Sequence, residues 1–285
     1  MFAIIGVLVV LGGVIGGYLM EHGNLSVLWQ PAEFVIIGGA GLGSFLIAAT
    51  PRMVGGTFKS CMGVLAPKQA TKQVFLDILS VLSELLSVAR REGVIAIEGD
   101  VNNPTGSALF SRYPAVLKNH HIRDFICDNM KAFMAANMEA HEFETLMDTD
   151  IETHHTEELV YPTIINKVSD SLPGMGIVAA VLGVVITMGK ISEPPEVLGH
   201  SIGAALVGTF LGILTCYGFM GPVATNLENQ AREGMTQFLC VKAALLAFAM
   251  GWPPMMALES ARRAIPGPER PSFEELENLM RGTKK

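Results

Sequence analysis

Residues 171–189 read SLPGMGIVAAVLGVVITMG and residues 201–220 read SIGAALVGTFLGILTCYGFM, two apolar runs with no acidic or basic side chain that carry Pro173, Thr187, Thr209 and Thr215. A helix rises ~1.5 Å per residue and the hydrocarbon core of a bilayer is ~30 Å thick, so each run is long enough to cross. Phe2–Met20 and Phe34–Ala49 read the same way, the second rich in glycine (Gly38, Gly39, Gly41, Gly43), which membrane helices use for close contact. The expected fold is all-α: an integral membrane protein with four transmembrane helices and a helical cytoplasmic domain inserted between helices 2 and 3. Segment 1–50 then holds the first two helices and a short external loop, 51–170 the cytoplasmic domain, 171–223 the third and fourth helices, and 224–285 cytoplasmic C-terminal helices.

Orientation follows from lysine and arginine, which stay on the cytoplasmic side of short loops. None lies in 21–33, eleven lie in 51–170, eight in 224–285, and Lys190 is alone between the last two runs. The middle and C-terminal segments and both termini are therefore expected inside, with 21–33 and 190–200 outside. Phe2–Met20 has neither a basic leader nor a small-residue cleavage site, so it reads as a retained helix. Sixteen of the 27 acidic residues lie in 51–170, and the net charge is −7, which speaks against nucleic acid as a partner. Cys61, Cys127, Cys216 and Cys240 are far apart, with no C-x-x-C pair, and read as reduced apolar residues.

Between the membrane runs, Phe75, Ile78, Leu79, Leu82, Leu85, Leu86 and Ala89 recur by threes and fours, which predicts an amphipathic helix over Ala70–Arg91, ending near Glu92-Gly93. Val94–Ile97 then reads as a short extended piece and Asp100–Pro104 as a turn. One or two helices are expected over Pro104–Met138. Another covers Glu139–Asp170, with Phe143, Leu146, Met147, Ile151 and Leu159 inward and Pro162 bending or interrupting it. Pro222 reads as the terminator of the fourth span. Ala224–Met250 is helical, broken by Gly251-Trp-Pro-Pro254 and again by Ile265-Pro-Gly-Pro268, before a short helix from Ser272. Gly12-x-x-x-Gly16, Gly13-x-x-x-Gly17, Gly39-x-x-x-Gly43 and Gly208-x-x-x-Gly212 put glycines on single helical faces for packing within or between subunits.

Signatures of enzyme chemistry are absent: no G-x-x-x-x-G-K-[ST], H-E-x-x-H or G-x-S-x-G occurs, and Gly39-Ala-Gly41-Leu-Gly43 lacks the third spaced glycine of a dinucleotide loop. No catalytic residue is expected. Glu152-x-x-His155 has the spacing of di-iron bundles, but no second copy exists, so a solvated helix face is the better reading and no metal is expected. An ionisable group in a membrane helix normally marks an ion path. If the third and fourth spans conduct protons, the titrating carboxylate must come from another chain. Pro173 suits either a helix's first turn or a hinge.

Taken together, Asp170-Ser-Leu-Pro-Gly-Met-Gly-Ile-Val-Ala-Ala-Val-Leu-Gly-Val-Val185, Val207-Gly-Thr-Phe-Leu-Gly-Ile-Leu214 with Tyr217-Gly218 and Pro222, Leu146-Met-Asp with Ile151-Glu-Thr-His154, and Glu269-Arg-Pro-Ser-Phe-Glu-Glu-Leu-Glu277 resemble the MotA-type flagellar stator proteins of the MotA/TolQ/ExbB proton channel family, over essentially the whole chain. The resemblance implies a homo-oligomeric ring, described as a pentamer, around the membrane helices of a MotB dimer whose aspartate carries the ion. It implies the bacterial inner membrane as location, no cofactor beyond the translocated ion, and torque on the rotor protein FliG. Pro173 and Pro222 match the prolines that couple ion passage to shape change, and Thr209 the position beside the MotB aspartate. Ala180 stands where sodium-driven relatives have threonine, which implies H+ as the ion. Arg90 and Glu98 match charged positions that engage the rotor, with Arg91 beside them. Met175 departs from relatives that carry an aromatic residue. The alternative is a TolQ/ExbB-like energiser of envelope proteins, a group that usually has three spans; a scaffold or metal enzyme centred on Glu152 and His155 is the remaining class.

Overall fold

The computed structural model describes residues 2–65, 70–136 and 138–282. Its helices are α1 (Phe2–Met20), α2 (Leu25–Leu28), α3 (Pro31–Ala48), α4 (Pro51–Gly63), α5 (Lys72–Glu92), α6 (Glu98–Asn102), α7 (Ala108–Ser111), α8 (Pro114–Lys118), α9 (His120–Ala135), α10 (Ala140–Met188), α11 (Pro195–Ile213), α12 (Gly221–Ala249), α13 (Pro254–Ala264) and α14 (Phe273–Gly282). Among the described residues there is no strand, so the all-α expectation holds. Four helical stretches, Phe2–Met20, Leu25–Ala48, Ala140–Met188 and Pro195–Ala249, are long and apolar enough to cross a membrane. Two compact units result: one from residues within 1–68 and 158–230, the other from residues within 69–157 and 231–285.

The first unit contains α1 to α4, the later part of α10, α11 and the start of α12. Its interior is small. Ile37, Leu172, Ala179 and Cys216 form one buried cluster, and Val64, Ile165, Ala224 and Leu227 another. Large side chains such as Val9, Ile47, Val185 and Ile186 point outward instead.

In the second unit the amphipathic pattern of α5 is realised: Phe75, Ile78, Leu79, Leu82, Leu85, Leu86 and Ala89 are all buried. They join Phe110, Ile122, Ile126, Phe143, Met147, Phe238, Val241, Leu258 and Leu276 in one continuous core. Its buried carboxylates, Glu84 and Glu259, are paired. Glu84 is bound by Arg112 and accepts from Tyr113 Oη at 2.6 Å, and burial followed by that carboxylate pushes the Tyr113 phenol up to about 12. Lys242 reaches Glu144 at 3.0 Å and Asp148 at 2.8 Å. Cys61, Cys127, Cys216 and Cys240 are free thiols, and burial raises Cys127 and Cys240 to about 12.

Several local expectations need correction. Val94–Ile97 is a 3-10 turn rather than an extended piece, and Glu98–Asn102 is helical, because Gly93 takes φ +93° and turns the chain back onto α5. Three helices, not one or two, fill Pro104 to Ala135: the short α7 and α8 and the 16-residue α9. Pro162 does not interrupt its helix: α10 runs unbroken for 49 residues with Pro162 and Pro173 inside it. Leu146 is 40% exposed and does not join the core. Pro222 does not terminate its helix either, since seven residues, Leu214–Met220, are wound as a π-helix that continues into α12. A proline needs no backbone donor and its ring crowds the carbonyl four residues back, a strain that a locally wider turn relieves.

Candidate functional site

The third and fourth spans approach backbone to backbone. A Cβ on Gly176 would lie 2.8 Å from the Gly208 carbonyl oxygen, and one on Gly212 would lie 2.6 Å from that of Leu172. Small residues are therefore obligatory where these helices cross. Gly208 and Gly212 are used in this way within the chain, whereas Gly12, Gly13, Gly16, Gly17, Gly39 and Gly43 would meet nothing within 4 Å. Their faces are left open by this chain alone.

Along this seam Pro173 and Ala180 are half-buried on α10, and Thr209 is half-buried on α11. The Thr209 hydroxyl donates across the seam to the Gly176 carbonyl at 3.5 Å, so it ties the two spans together rather than bonding only to its own preceding turn. Ser169, 1% exposed, donates to the Cys216 carbonyl at 3.2 Å and thereby serves one of the carbonyls inside the π-wound segment. Pro222 is exposed in the first turn of α12, directly after that segment. Thus Pro173, Thr209 and the π turn leading to Pro222 belong to one connected stretch of packing. It holds carbonyl and hydroxyl groups but no acidic or basic side chain from α10 or α11.

One carboxyl does reach these helices, and sequence analysis missed it. Starting the second span at Phe34 left Glu33 in the loop, but α3 begins at Pro31 and Glu33 is buried. The signal available was Pro31, a favoured first residue of a helix. The π segment carried no comparable sequence signal.

The charged residues lie in the second unit. Arg90 and Arg91 occupy the last turn of α5, where cations are favoured by the helix dipole, and Glu98 opens α6 one 3-10 turn later. All three are exposed. Arg91 binds its neighbour Glu92 at 2.6 Å, whereas among the described residues Arg90 and Glu98 have no ion-pair partner. Glu152 is exposed and His155 half-buried, while the neighbouring His154 packs its ring 4.5 Å from Phe238 and 4.7 Å from His121.

The sequence matches two known families, and the seam lies within the second match. Residues 4–93 match the family described as motility protein A N-terminal, and residues 117–239 the MotA/TolQ/ExbB proton channel family. Motility protein A of Escherichia coli K12 is 43% identical over 284 residues, covering 100% of this chain and 96% of the relative. Chemotaxis protein LafT of Vibrio parahaemolyticus is 33% identical, covering 97% of each. The fold is similar to MotA in the C. jejuni MotAB structure, with TM-score 0.77 and 18% identity over 95% of this chain and 98% of that one. It is also similar to the flagellar MotAB stator complex from Bacillus subtilis, with TM-score 0.72 and 20% identity over 94% and 97%. A full-length match at this identity, with the glycine-paired spans where the proton channel family matches, means that this chain belongs to the motility protein A family.

Proposed function

We propose that this chain is the ring-forming stator subunit of a bacterial flagellar motor, which forms a proton channel with a MotB-like dimer and turns ion flow into torque on a FliG-like rotor. Full-length similarity to motility protein A carries the reading. The physical features agree with it. The third and fourth spans offer a seam of glycine, threonine and proline without an acidic side chain of their own, which suits a path completed by a partner's aspartate. Arg90 and Glu98 are exposed and unpaired among the described residues, which suits a rotor that must be gripped and released, because exposed ion pairs contribute only ~0–1 kcal/mol each.

The proposed arrangement places 51–170 and 224–285 in the cytoplasm, with both termini inside and the four spans in the inner membrane against lipid. The ring is a pentamer, and Ala180 at the threonine position of sodium-driven relatives favours H+. Moving one charge through 100 mV releases ~2.3 kcal/mol, comparable with a modest repacking of helices at Pro173 and the π turn before Pro222. The test is co-purification with the MotB-like partner, followed by cytoplasmic pH recording in cells expressing both chains with any channel plug removed. Acidification that needs both chains and disappears when the partner's membrane aspartate becomes asparagine is expected. No complex and no proton flux would remove the reading.

A further inference from the structure

Glu33 sits in the first turn of α3, inside the apolar stretch Leu25–Ala48. It is 7% exposed, and its Oε2 has no hydrogen-bond partner. A first-turn glutamate ordinarily turns back to the open N–H groups of its helix or outward to water. This one is aimed at α11 and α10 instead: a Cβ on Gly208 would lie 2.5 Å from Oε2 and 3.0 Å from the Ala179 Cβ. The missing side chain at Gly208 is therefore what makes room for the carboxyl, and Ala179, fully buried, closes the other side. Each wall residue is the immediate neighbour of an ion-path candidate, Gly208 of Thr209 and Ala179 of Ala180. Among the described residues no compensating charge faces it from the helices around it. α10 has no acidic or basic residue between Asp170 and Lys190, α11 has none after His200, and α3 has none besides Glu33.

We propose that Glu33 is a proton-binding carboxyl of the ion path, supplied by this chain in addition to the partner's aspartate, and that losing its proton is coupled to separation of α3 from α11. An ionised carboxylate without a partner or water is expensive in an apolar setting, whereas the protonated acid fits the slot beside Gly208. Deprotonation must bring water or a cation to Oε2, and opening the α3–α11 contact is the route to that oxygen. The role rests on the channel reading above.

The experiment uses the assembled complex with its partner in lipid vesicles, in parent, Glu33→Gln and Glu33→Asp forms. Carboxyl infrared difference spectra are taken across pH, together with proton uptake under an imposed gradient. The expected result is a titrating carboxyl band in the parent that is absent in Glu33→Gln, with uptake reduced on the order of tenfold or more and partly restored in Glu33→Asp. Uptake by Glu33→Gln at the parent rate and with the parent's pH dependence would make Glu33 a packing group and overturn the proposal, as would a set of titrating carboxyl bands in Glu33→Gln identical to the parent's, the partner's aspartate being expected in both. Should Glu33→Gln not assemble, Glu33→Asp decides: a titrating band that moves supports the proposal and an unmoved one overturns it. A parent that takes up no protons overturns the channel reading and this role together, which separates that failure from the others.

Discussion

The two units are built on opposite principles. The second closes around large side chains, with Phe75, Phe110 and Phe143 each at most 1% exposed, and neutralises its buried charges pairwise. The first has few buried apolar residues, brings helices together through Gly176, Gly208 and Gly212, and leaves Ile186 and Val185 63% exposed. One is stabilised by burial from water. The other is held by close backbone contact and turns its large apolar side chains outward, a surface suited to a hydrocarbon solvent, which apolar side chains gain little by leaving.

The contrast would break most visibly at Gly212. Gly212→Val drives a side chain into the Leu172 carbonyl, so loss of the assembled complex and of swimming is expected, seen by co-purification and motility assay. The next largest effect belongs to the apolar core of the second unit: Phe110→Ala should cost ~3–5 kcal/mol and lower that unit's melting temperature. Truncating outward Ile186 to Ala should leave that temperature unchanged, and an equal loss at both positions would erase the distinction. Third, Glu259 is bonded to Arg262 at 2.7 Å and Arg263 at 2.8 Å, and these bonds, Arg262's first, hold its carboxyl at about 2 against an ordinary 4.5. The folded value lies below the unfolded one, so the stabilisation is complete above about 4.5 and is lost as pH falls through about 2. Glu259→Gln should cost ~1.5–3 kcal/mol at neutral pH and flatten that acid limb in a denaturation series. The smallest change in stability, within ~0.5 kcal/mol, is expected for Arg90→Glu, because the side chain is exposed and unpaired among the described residues. It should nevertheless impair motility while leaving proton conduction intact, with partial rescue by a complementary rotor charge; loss of assembly would make Arg90 structural.

Legibility in the sequence divides along the same line. The α5 face was readable residue by residue, because water on one side and a core on the other impose a period. The spans were readable as lengths but not as faces, because lipid and protein interior are both apolar and leave no periodic mark. Hence the inward carboxyl of Glu33 was assigned to a loop, and the glycine pairs could not be sorted into those that meet another helix here and those left open. Prolines misled for a related reason. Rules for Pro162 and Pro222 describe an unsupported helix, whereas here α10 continues through its proline and the fourth span widens to a π turn before its own. Tertiary partners such as Ser169, bonded to the Cys216 carbonyl, meet needs that the local sequence does not reveal.

The π turn at Leu214–Met220 also bears on how this gene can change length. In an α-helix each inserted residue rotates everything beyond it by ~100°, so an insertion in a packed span scrambles both flanking faces. A π turn closes its bonds five residues apart instead of four and so stores an extra residue without that rotation. Deleting one codon here should therefore return the segment to α winding with the faces of α11 and early α12 still in register, whereas the same deletion near Gly208 should not.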